Sequence, residues 1–373
     1  MPHSWSLALL LFLLPPSASA LGVGIWIGGG IGTQTPPSSS NSKLHNAYTA
    51  LQAWKCAITD DPNGILATWV GSDVCSYKGV FCIQPIDMST DLVVAGIDLN
   101  HASLQGTLVK ELSLLSDLSI IHLNSNRFTG AVPDSFRELE SLSELDLSNN
   151  QFSGPFPSAT LLIPNLIYLD IRFNYFSGPI PEELFNKDLD AIFLNNNLFD
   201  GQIPQSLGNS PASVITLANN RFSGSIPVSF GYMGPGIKEV LLHNNQLTGC
   251  IPEGVGLLSE MEVLDLSHNS LSGHLPDTIS CLSEIEVLNF AHNQLSGVLS
   301  EFVCSLRNLA NLTVSYNFLS GFDQECTRLL FRNVGFDFSG NCIPGKNRQR
   351  PQPECSGIPG GLNCLRIPLI RCG

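Results

Sequence analysis

The sequence predicts an α/β solenoid, and three regularities support that prediction. An asparagine recurs at spacings of 23 to 25 residues, an apolar residue lies three positions before each asparagine, and a glycine lies four positions after it. Self-similarity at a period of roughly 20 to 29 residues is typical of a leucine-rich repeat solenoid, in which each unit adds one short strand. The asparagines are Asn126, Asn150, Asn174, Asn197, Asn220, Asn245, Asn269, Asn293 and Asn317.

The amino-terminal 20 residues have the pattern of a secretory signal. Leu7 to Leu14 form a short apolar run, and Ala18 and Ala20 give a small-residue cleavage pattern. Residues 21–42 are rich in Gly, Pro and Ser, so they are predicted to be a flexible linker. No later stretch has the roughly 18 apolar residues that a membrane span needs. We therefore expect a secreted, extracellular protein without a membrane span.

Residues 43–91 are predicted to form an amino-terminal cap. The cap should cover the apolar end of the first repeat, which would otherwise face water. Cys75 and Cys82 are close enough in sequence to form a local disulfide. The apolar face of a predicted helix, spaced by three and four residues, comprises Leu44, Ala47, Leu51, Trp54 and Ile58.

About ten repeats are predicted between residues 92 and 321. Each unit consists of a short strand, an asparagine turn and an irregular return that often begins Gly-x-Ile-Pro, a pattern that resembles the plant-specific class of leucine-rich repeats. The asparagine amides should pair with backbone groups of the turns that would otherwise be buried without a partner. The first unit has Ala102 in place of the asparagine, and atypical terminal repeats are common.

After Gly321 the pattern is expected to give way to a cysteine-rich cap and tail, residues 322–373. Cys304 and Cys326 are the favoured disulfide pair there. The chain has 11 cysteines, so in an oxidising compartment one thiol is left over or shared between two chains. The tail cysteines form no Cys-x-x-Cys motif and are not joined by paired histidines, so neither a metal site nor a cofactor is predicted.

The balance of charge restricts the partners. The chain has 32 acidic and 18 basic residues, a formal net charge of -14. Nucleic acid is disfavoured, because phosphate binding relies on excess Lys and Arg. The negative electrostatic field of such a chain favours a basic peptide or protein as its partner. An acidic surface that only keeps an exported protein soluble is an equally good explanation.

The concave face of the predicted sheet is the candidate binding surface. Strand residues between the core leucines point to solvent, and in the central repeats Phe173 and other large apolar side chains are surrounded by carboxylates, the composition of a protein-binding hot spot. A solvated sheet with scattered apolar residues is the alternative. The predicted ligand-binding residues are Glu144, Asp146, Tyr168, Asp170, Arg172, Phe193, Asn195, Glu239 and Leu241.

Catalysis is not predicted. Asp146 and Asp170 should lie one strand apart, about 5 Å, as do the carboxylates of a retaining glycosidase. An open sheet, however, offers little to exclude water or to raise a pKa. His122 lacks a serine nucleophile in a Gly-x-Ser-x-Gly context. We therefore expect a binding protein that is not an enzyme.

Asn311 begins the one Asn-x-Ser/Thr sequon of the chain, Asn311-Leu-Thr313. A glycan is predicted at this asparagine. Because Asn311 should lie on the concave strand of the last repeat, the glycan would direct a partner toward the central repeats.

Four segments carry a family resemblance: residues 47–55, residues 69–82, residues 94–102 and Lys187-Asp-Leu-Asp-Ala-Ile-Phe-Leu-Asn-Asn-Asn197. With them the chain resembles the repeat domain of the plant leucine-rich repeat extensins. The resemblance implies a protein of the cell wall, or apoplast, that captures basic, cysteine-rich rapid alkalinization factor peptides. It also implies a role in cell-wall formation and integrity.

The sequence departs from the family pattern in two ways. The Ser-Pro-rich extensin tail is not present among the 373 residues, so a diffusible binder is expected rather than a cross-linked wall protein. Cys56 is additional to the family pattern and is the first candidate for the unpaired thiol. The sequence neither predicts nor excludes a homodimer formed through the tail cysteines.

Two other functions stay open as alternatives. One is an inhibitor of pathogen glycosidases, resembling the polygalacturonase-inhibiting proteins, whose end caps carry different cysteine patterns. The other is a structural protein bound to wall polysaccharide, which the missing extensin tail disfavours.

Overall fold

The computed structural model describes residues 42–85, residues 92–356 and Cys364. The predicted signal segment lies outside the described residues, as does the predicted linker apart from Ser42. The first helix, Ser42–Ala57, buries Ala47, Ala50, Leu51 and Trp54. Ile58, expected on the same helical face, instead begins a strand that follows the helix.

Two sheets run through the described repeats, and we call them the inner and the outer sheet. Each inner strand is parallel to the next and in register, except that Val80–Ile83 pairs antiparallel with Val93–Asp98 at the amino-terminal end. The inner strands are Val80–Ile83, Val93–Asp98, Ile120–His122, Glu144–Asp146, Tyr168–Asp170, Ala191–Phe193, Val214–Thr216, Glu239–Leu241, Val263–Asp265, Val287–Asn289, Asn311–Thr313 and Gly335–Asp337. The outer strands are Ile58–Asp60, Gln105–Thr107, Arg127–Gly130, Gln151–Gly154, Tyr175–Gly178, Leu198–Gln202, Arg221–Ser225, Gln246–Gly249, Ser270–Gly273, Gln294–Leu299 and Phe318–Phe322.

Short helices lead from most outer strands back to the next inner strand. Most follow a proline, whose restricted φ suits the residue that precedes a helical turn. The 3-10 helices are Ile65–Thr68, Val74–Ser76, Lys110–Leu114, Asp134–Glu138, Ser158–Leu162, Glu182–Asn186, Gln205–Asn209, Val228–Tyr232, Glu253–Leu257, Asp277–Cys281 and Gln324–Leu330. Two further α-helices are Glu301–Cys304 and Gln352–Ser356.

The recurring asparagines bond one turn of the solenoid to the next. Asn150 is representative: its Oδ1 accepts the N–H of Phe128 at 3.0 Å, and its Nδ2 donates to the carbonyls of Leu123 at 2.8 Å and Leu147 at 3.2 Å. The side chain is buried, so these bonds satisfy backbone groups that water does not reach. The predicted role of the asparagines is confirmed.

The repeat pattern extends one turn beyond the predicted end at Gly321. Gly335–Asp337 pairs with Asn311–Thr313, and Asn341 Oδ1 accepts the N–H of Leu319 at 2.9 Å. The strand of this turn carries Phe336 where the other turns have leucine, isoleucine or valine. Phe338, like Phe290 of an earlier turn, stands three positions before its asparagine, Asn341, and Gly345 lies four positions after it, so this turn keeps the repeat pattern.

A column of aromatic rings fills the core of the amino-terminal half. Trp54 of the first helix packs on Phe128 at 5.8 Å between ring centroids. Phe128 begins a run of rings stacked 6.2 to 6.4 Å apart, one from each turn: Phe128, Phe152, Phe176, Phe199 and Phe222. Beyond Phe222 the equivalent position holds leucine, from Leu247 to Leu319. We call this run, with Trp54, the aromatic column.

Disulfides concentrate toward the carboxyl-terminal end. Cys75 bonds Cys82 and Cys304 bonds Cys326, the two pairs that the sequence favoured. The structure adds Cys342–Cys355 and Cys250–Cys364, and Cys281 is also disulfide-bonded. Cys56 is exposed and is the free thiol of the described residues. No helix in the described part of the chain has the length and apolar character to cross a membrane.

Candidate functional site

The predicted binding residues lie on or just after consecutive strands of the inner sheet. Tyr168 is in register with Glu144 on one side, and Asp170 is in register with Asp146 and with Phe193. Arg172 and Asn195 each follow their strand by two residues. The structure thus brings these side chains together. Glu239 and Leu241 lie further along the sheet, separated from the group by the strand Val214–Thr216.

Asp170 is fully buried, with 0% of its surface exposed, although the sequence placed it on the solvent face. Its Oδ1 accepts the N–H of Arg172 at 3.1 Å, and its Oδ2 accepts the Tyr168 hydroxyl at 3.4 Å. Burial raises the pKa of Asp170 to about 7; Arg172 opposes the rise, and Asp146 adds to it. The expectation that an open sheet would raise no pKa is therefore wrong at this residue.

Tyr168, Phe193 and Arg172 form a cluster in which Asp170 is enclosed. The Tyr168 and Phe193 ring centroids lie 5.8 Å apart, and Arg172 Cζ lies 4.9 Å from the Phe193 centroid, a cation–π contact. Burial and the neighbouring carboxylates raise the pKa of the Tyr168 hydroxyl, which stays a neutral donor. The three side chains are half-buried, so the cluster presents a partly apolar surface to a partner.

Phe173 does not join that cluster. It lies in the asparagine turn, outside the strand, with φ +54° and 46% of its surface exposed. The residue immediately before each repeat asparagine takes this left-handed conformation throughout the solenoid. Phe173 is therefore at the edge of the inner face rather than among the central strand residues where the sequence placed it.

Three half-exposed side chains along one row of the inner face have a buried polar atom without a hydrogen-bond partner among the described residues. The atoms are Arg172 Nε, Asn195 Oδ1 and His243 Nδ1. Arg172 Nε lies 3.0 Å from Asp170 Oδ2 but lacks the alignment of a hydrogen bond. All three residues stand two positions before a repeat asparagine, and Ala218 occupies that position between Asn195 and His243. A buried polar atom without a partner costs about 1–3 kcal/mol, and at Arg172 the neighbouring Asp170 carboxylate offsets that cost.

His243 is not among the residues that the sequence predicted for the binding site. The signal that identifies it is its position two residues before Asn245, the same offset as Arg172 from Asn174. His243 Nδ1 lies 3.6 Å from the Asp265 carboxylate. The row therefore reaches the turn of Glu239 and Leu241, since His243 follows their strand by two residues.

Carboxylates surround the cluster on both sides. On the amino-terminal side Glu144 pairs with His122 at 3.0 Å. On the other side burial, with the nearby Glu262, raises the pKa of Glu239. Lys238 lies 3.3 Å from Glu260 and 3.5 Å from Glu262, while exposed Glu284 and Glu286 follow on the next turn. The inner face of these repeats is predominantly acidic.

The described anchor of the tail lies away from this face. Cys364 is bonded to Cys250, which directly follows the outer strand Gln246–Gly249. Within the described residues, no group of three or more His, Cys, Asp or Glu side chains has the arrangement of a metal site.

The fold and this surface define a plant-type leucine-rich repeat domain, a class of non-enzymatic binding module. Family models described as "Leucine rich repeat" match residues 116–176 and 235–295, and a model described as "Leucine rich repeat N-terminal domain" matches residues 44–83. With the relatives described below, these matches show a leucine-rich repeat domain similar to that of the leucine-rich repeat extensins.

Two curated relatives come from Arabidopsis thaliana. Leucine-rich repeat extensin-like protein 2 is 55% identical over 316 residues, which are 85% of this chain and 40% of the relative. Leucine-rich repeat extensin-like protein 7 is 64% identical over 228 residues, 61% of this chain and 53% of the relative. The chain thus spans about half or less of the length of these relatives.

A solved structure shows the same architecture. The Arabidopsis receptor kinase HAESA, crystallised in complex with the peptide hormone IDA and the co-receptor SERK1, matches with a TM-score of 0.61 and 27% sequence identity. The match covers 79% of this chain and 53% of HAESA. The repeat domain of a peptide receptor therefore has this fold.

Proposed function

We propose that this chain is a secreted binding module of the plant cell wall, or apoplast, that holds a basic, cysteine-rich signalling peptide of the rapid alkalinization factor type. Its role would be in cell-wall formation and integrity. The observation that carries the proposal is the half-buried cluster of Tyr168, Phe193 and Arg172 over the buried Asp170, on an acidic inner face. The contact residues would be Glu144, Asp146, Tyr168, Arg172, Phe193, Asn195, Glu239 and Leu241, with Asp170 buried beneath the cluster as its support.

The apolar part of the cluster supplies the anchor. Aromatic and Arg side chains dominate binding energy where they are central and shielded from water. Tyr168 and Phe193 are adjacent, and Arg172 covers the Phe193 ring. A peptide side chain inserted beside Phe193 would bury apolar surface that is half-exposed in the free protein.

The polar part of the cluster selects a donor-rich ligand. Asn195 Oδ1 is an acceptor without a partner, and the surrounding carboxylates accept but do not donate. Lys and Arg side chains of a basic peptide carry three and five N–H donors respectively. The long-range field of a chain with net charge -14 would also speed the encounter with such a peptide.

Calorimetric titration with a synthetic basic, disulfide-bonded peptide of this type tests the proposal. Phe193→Ala and Tyr168→Ala should each weaken binding by about 1 kcal/mol or more, roughly fivefold. Tyr232→Ala is the matched control, since Tyr232 is 73% exposed on a 3-10 helix outside the inner sheet. Equal affinities for the Phe193 variant and the control would reject the central cluster. Inhibition of a fungal pectinase without peptide binding would instead favour the glycosidase-inhibitor alternative.

Asn311 is the proposed glycosylation site. It is exposed at the start of the inner strand Asn311–Thr313, and its Oδ1 accepts the Thr313 hydroxyl at 2.9 Å. Three strand spacings, about 14 Å, separate this strand from Glu239–Leu241. A glycan there would leave the proposed contact residues uncovered.

A further inference from the structure

A polar notch of about 440 Å³ lies where the last turns of the solenoid meet the carboxyl-terminal cap. It is six strand spacings, about 29 Å, from the Tyr168 strand, so it is separate from the proposed peptide surface. Within the described part of the chain, its lining contains no aliphatic side chain. The lining residues are Tyr316, Ser339, Gly340, Arg348, Gln349, Arg350 and Glu354.

The aromatic wall of the notch is held on both faces. The Tyr316 ring stacks on His292 at 4.3 Å between centroids, and His292 stacks on His268 at 4.2 Å. The backbone of Gly340 packs against Tyr316: a Cβ at Gly340 would come 2.8 Å from the tyrosine ring. Tyr316 therefore cannot turn away from the notch without breaking this stack.

The basic wall is equally fixed through the backbone. The N–H of Gly340 donates to the carbonyl of Arg348 at 2.7 Å. Arg350 Nε donates to the carbonyl of Asn317 at 2.8 Å, and Arg350 Cζ lies 4.3 Å from the Phe318 ring centroid. These contacts position the loop that carries Arg348 before any ligand arrives.

Several polar groups of the notch have no partner in the part of the chain that the structure describes. The exposed Arg348 guanidinium forms no ion pair there, and the hydroxyls of Tyr316 and Ser339 form no hydrogen bond. Glu354 accepts one bond from Arg350 Nη1, at 3.0 Å. Among the described residues the notch thus presents an unpaired guanidinium, two hydroxyls and a partly used carboxylate, within a chain whose net charge is -14.

We propose that this notch binds a uronic acid unit of an acidic oligosaccharide. A guanidinium pairs with a carboxylate through two parallel N–H···O bonds, so Arg348 would hold the sugar carboxylate. Tyr316, Ser339 and Glu354 would bond the ring hydroxyls, which both donate and accept. A peptide carboxyl terminus offers the same carboxylate but also a side chain, for which the described lining has no aliphatic contact.

Titration of the full chain with trigalacturonate tests the site independently of the peptide proposal. Binding is expected, and the methyl-esterified trisaccharide should bind at least tenfold more weakly, because it keeps the hydroxyls but lacks the carboxylates. Arg348→Gln should reduce trigalacturonate affinity at least tenfold, and Arg348→Lys by less. Arg221→Gln, an exposed arginine on the outer sheet, should have no effect. Thermal melting of each variant checks its fold.

Three results would overturn the proposal. One is the absence of trigalacturonate binding, and another is equal binding of the acid and its ester. The third is an Arg348→Gln variant that is folded and binds like the unchanged protein. If a tripeptide with a free carboxyl terminus outcompetes trigalacturonate and the same tripeptide with an amidated terminus does not, the notch is a site for the carboxyl terminus of a peptide instead.

Discussion

Replacing Asp170 with asparagine should remove a pH dependence from the stability of the fold. Burial raises the pKa of Asp170 from 3.8 to about 7 in the folded chain. The folded state therefore binds a proton more tightly than the unfolded state does. The contribution of Asp170 protonation to the free energy of unfolding is fully present below about pH 4, and it is lost as the pH rises from about 4 through 7.

The size of this effect follows from the shift. One pKa unit corresponds to about 1.36 kcal/mol, so a rise from 3.8 to about 7 corresponds to roughly 4 kcal/mol. Asparagine has nearly the same shape, and its carbonyl oxygen can still accept the N–H of Arg172. The variant carries no titrating group at this position. Relative to the unchanged protein it should therefore gain up to roughly 4 kcal/mol between pH 4 and pH 7.5.

Urea unfolding at a series of pH values measures the difference. Circular dichroism is the preferred signal, because the tryptophans of the described residues, Trp54 and Trp69, lie in the cap. Asp146→Asn is the comparison variant: Asp146 lies in the same row on the adjacent strand but is only half-buried. Because its charge adds to the rise in the pKa of Asp170, this variant should show a smaller pH-dependent gain. A difference between the Asp170 variant and the unchanged protein that stays constant with pH would refute the reasoning. So would an equal pH-dependent gain in the Asp146 variant.

Two further predictions concern the repeats and the cap. Asn220→Ala should destabilise the fold by about 1–3 kcal/mol, because Asn220 Oδ1 accepts the N–H of Phe199 and its Nδ2 donates to the carbonyl of Leu194. Thermal unfolding measures the loss, with Gln246→Ala, at an exposed position, as the control. Equal melting temperatures for the two variants would contradict the expectation. Cys56→Ser should change the melting temperature by no more than about 1 °C, as for an exposed site without special contacts. It should also remove the thiol that reacts with a thiol reagent in the folded protein. Continued reaction at the same rate would show that another cysteine is free.

Local patterns predicted the repeating part of the fold. A short strand and its asparagine turn depend on residues within one unit, and the asparagine side chain completes bonds that recur identically from turn to turn. The last turn was missed although Asn341 continues the asparagine spacing after Asn317, because the cysteines around it were assigned to a cap. The bond between Cys250 and Cys364 joins residues 114 positions apart, and no spacing rule specifies such a pair.

The sequence predicted which residues belong to the candidate site, but it did not predict how deeply each side chain is buried. Side chains alternate between the two faces of a strand, and this alternation correctly placed Asp170 on a strand of the inner sheet. Whether a side chain on that face reaches water depends on its neighbours across strands. Here Tyr168, Arg172 and Phe193 enclose the carboxylate, and a sequence pattern with a period of two residues carries no information on that packing.

The aromatic column and the disulfides hold different halves of the solenoid together. Apart from the Cys75–Cys82 bond of the cap, every disulfide-bonded cysteine among the described residues comes after Phe222, the last ring of the column. A thiol reductant would therefore act mainly on the carboxyl-terminal turns, although it would also open the Cys75–Cys82 bond of the cap. Phe193 belongs to the ring-stacked turns, whereas Leu241 shares its turn with Cys250. Reduction would thus loosen the part of the proposed contact surface around Leu241 more than the part around Phe193.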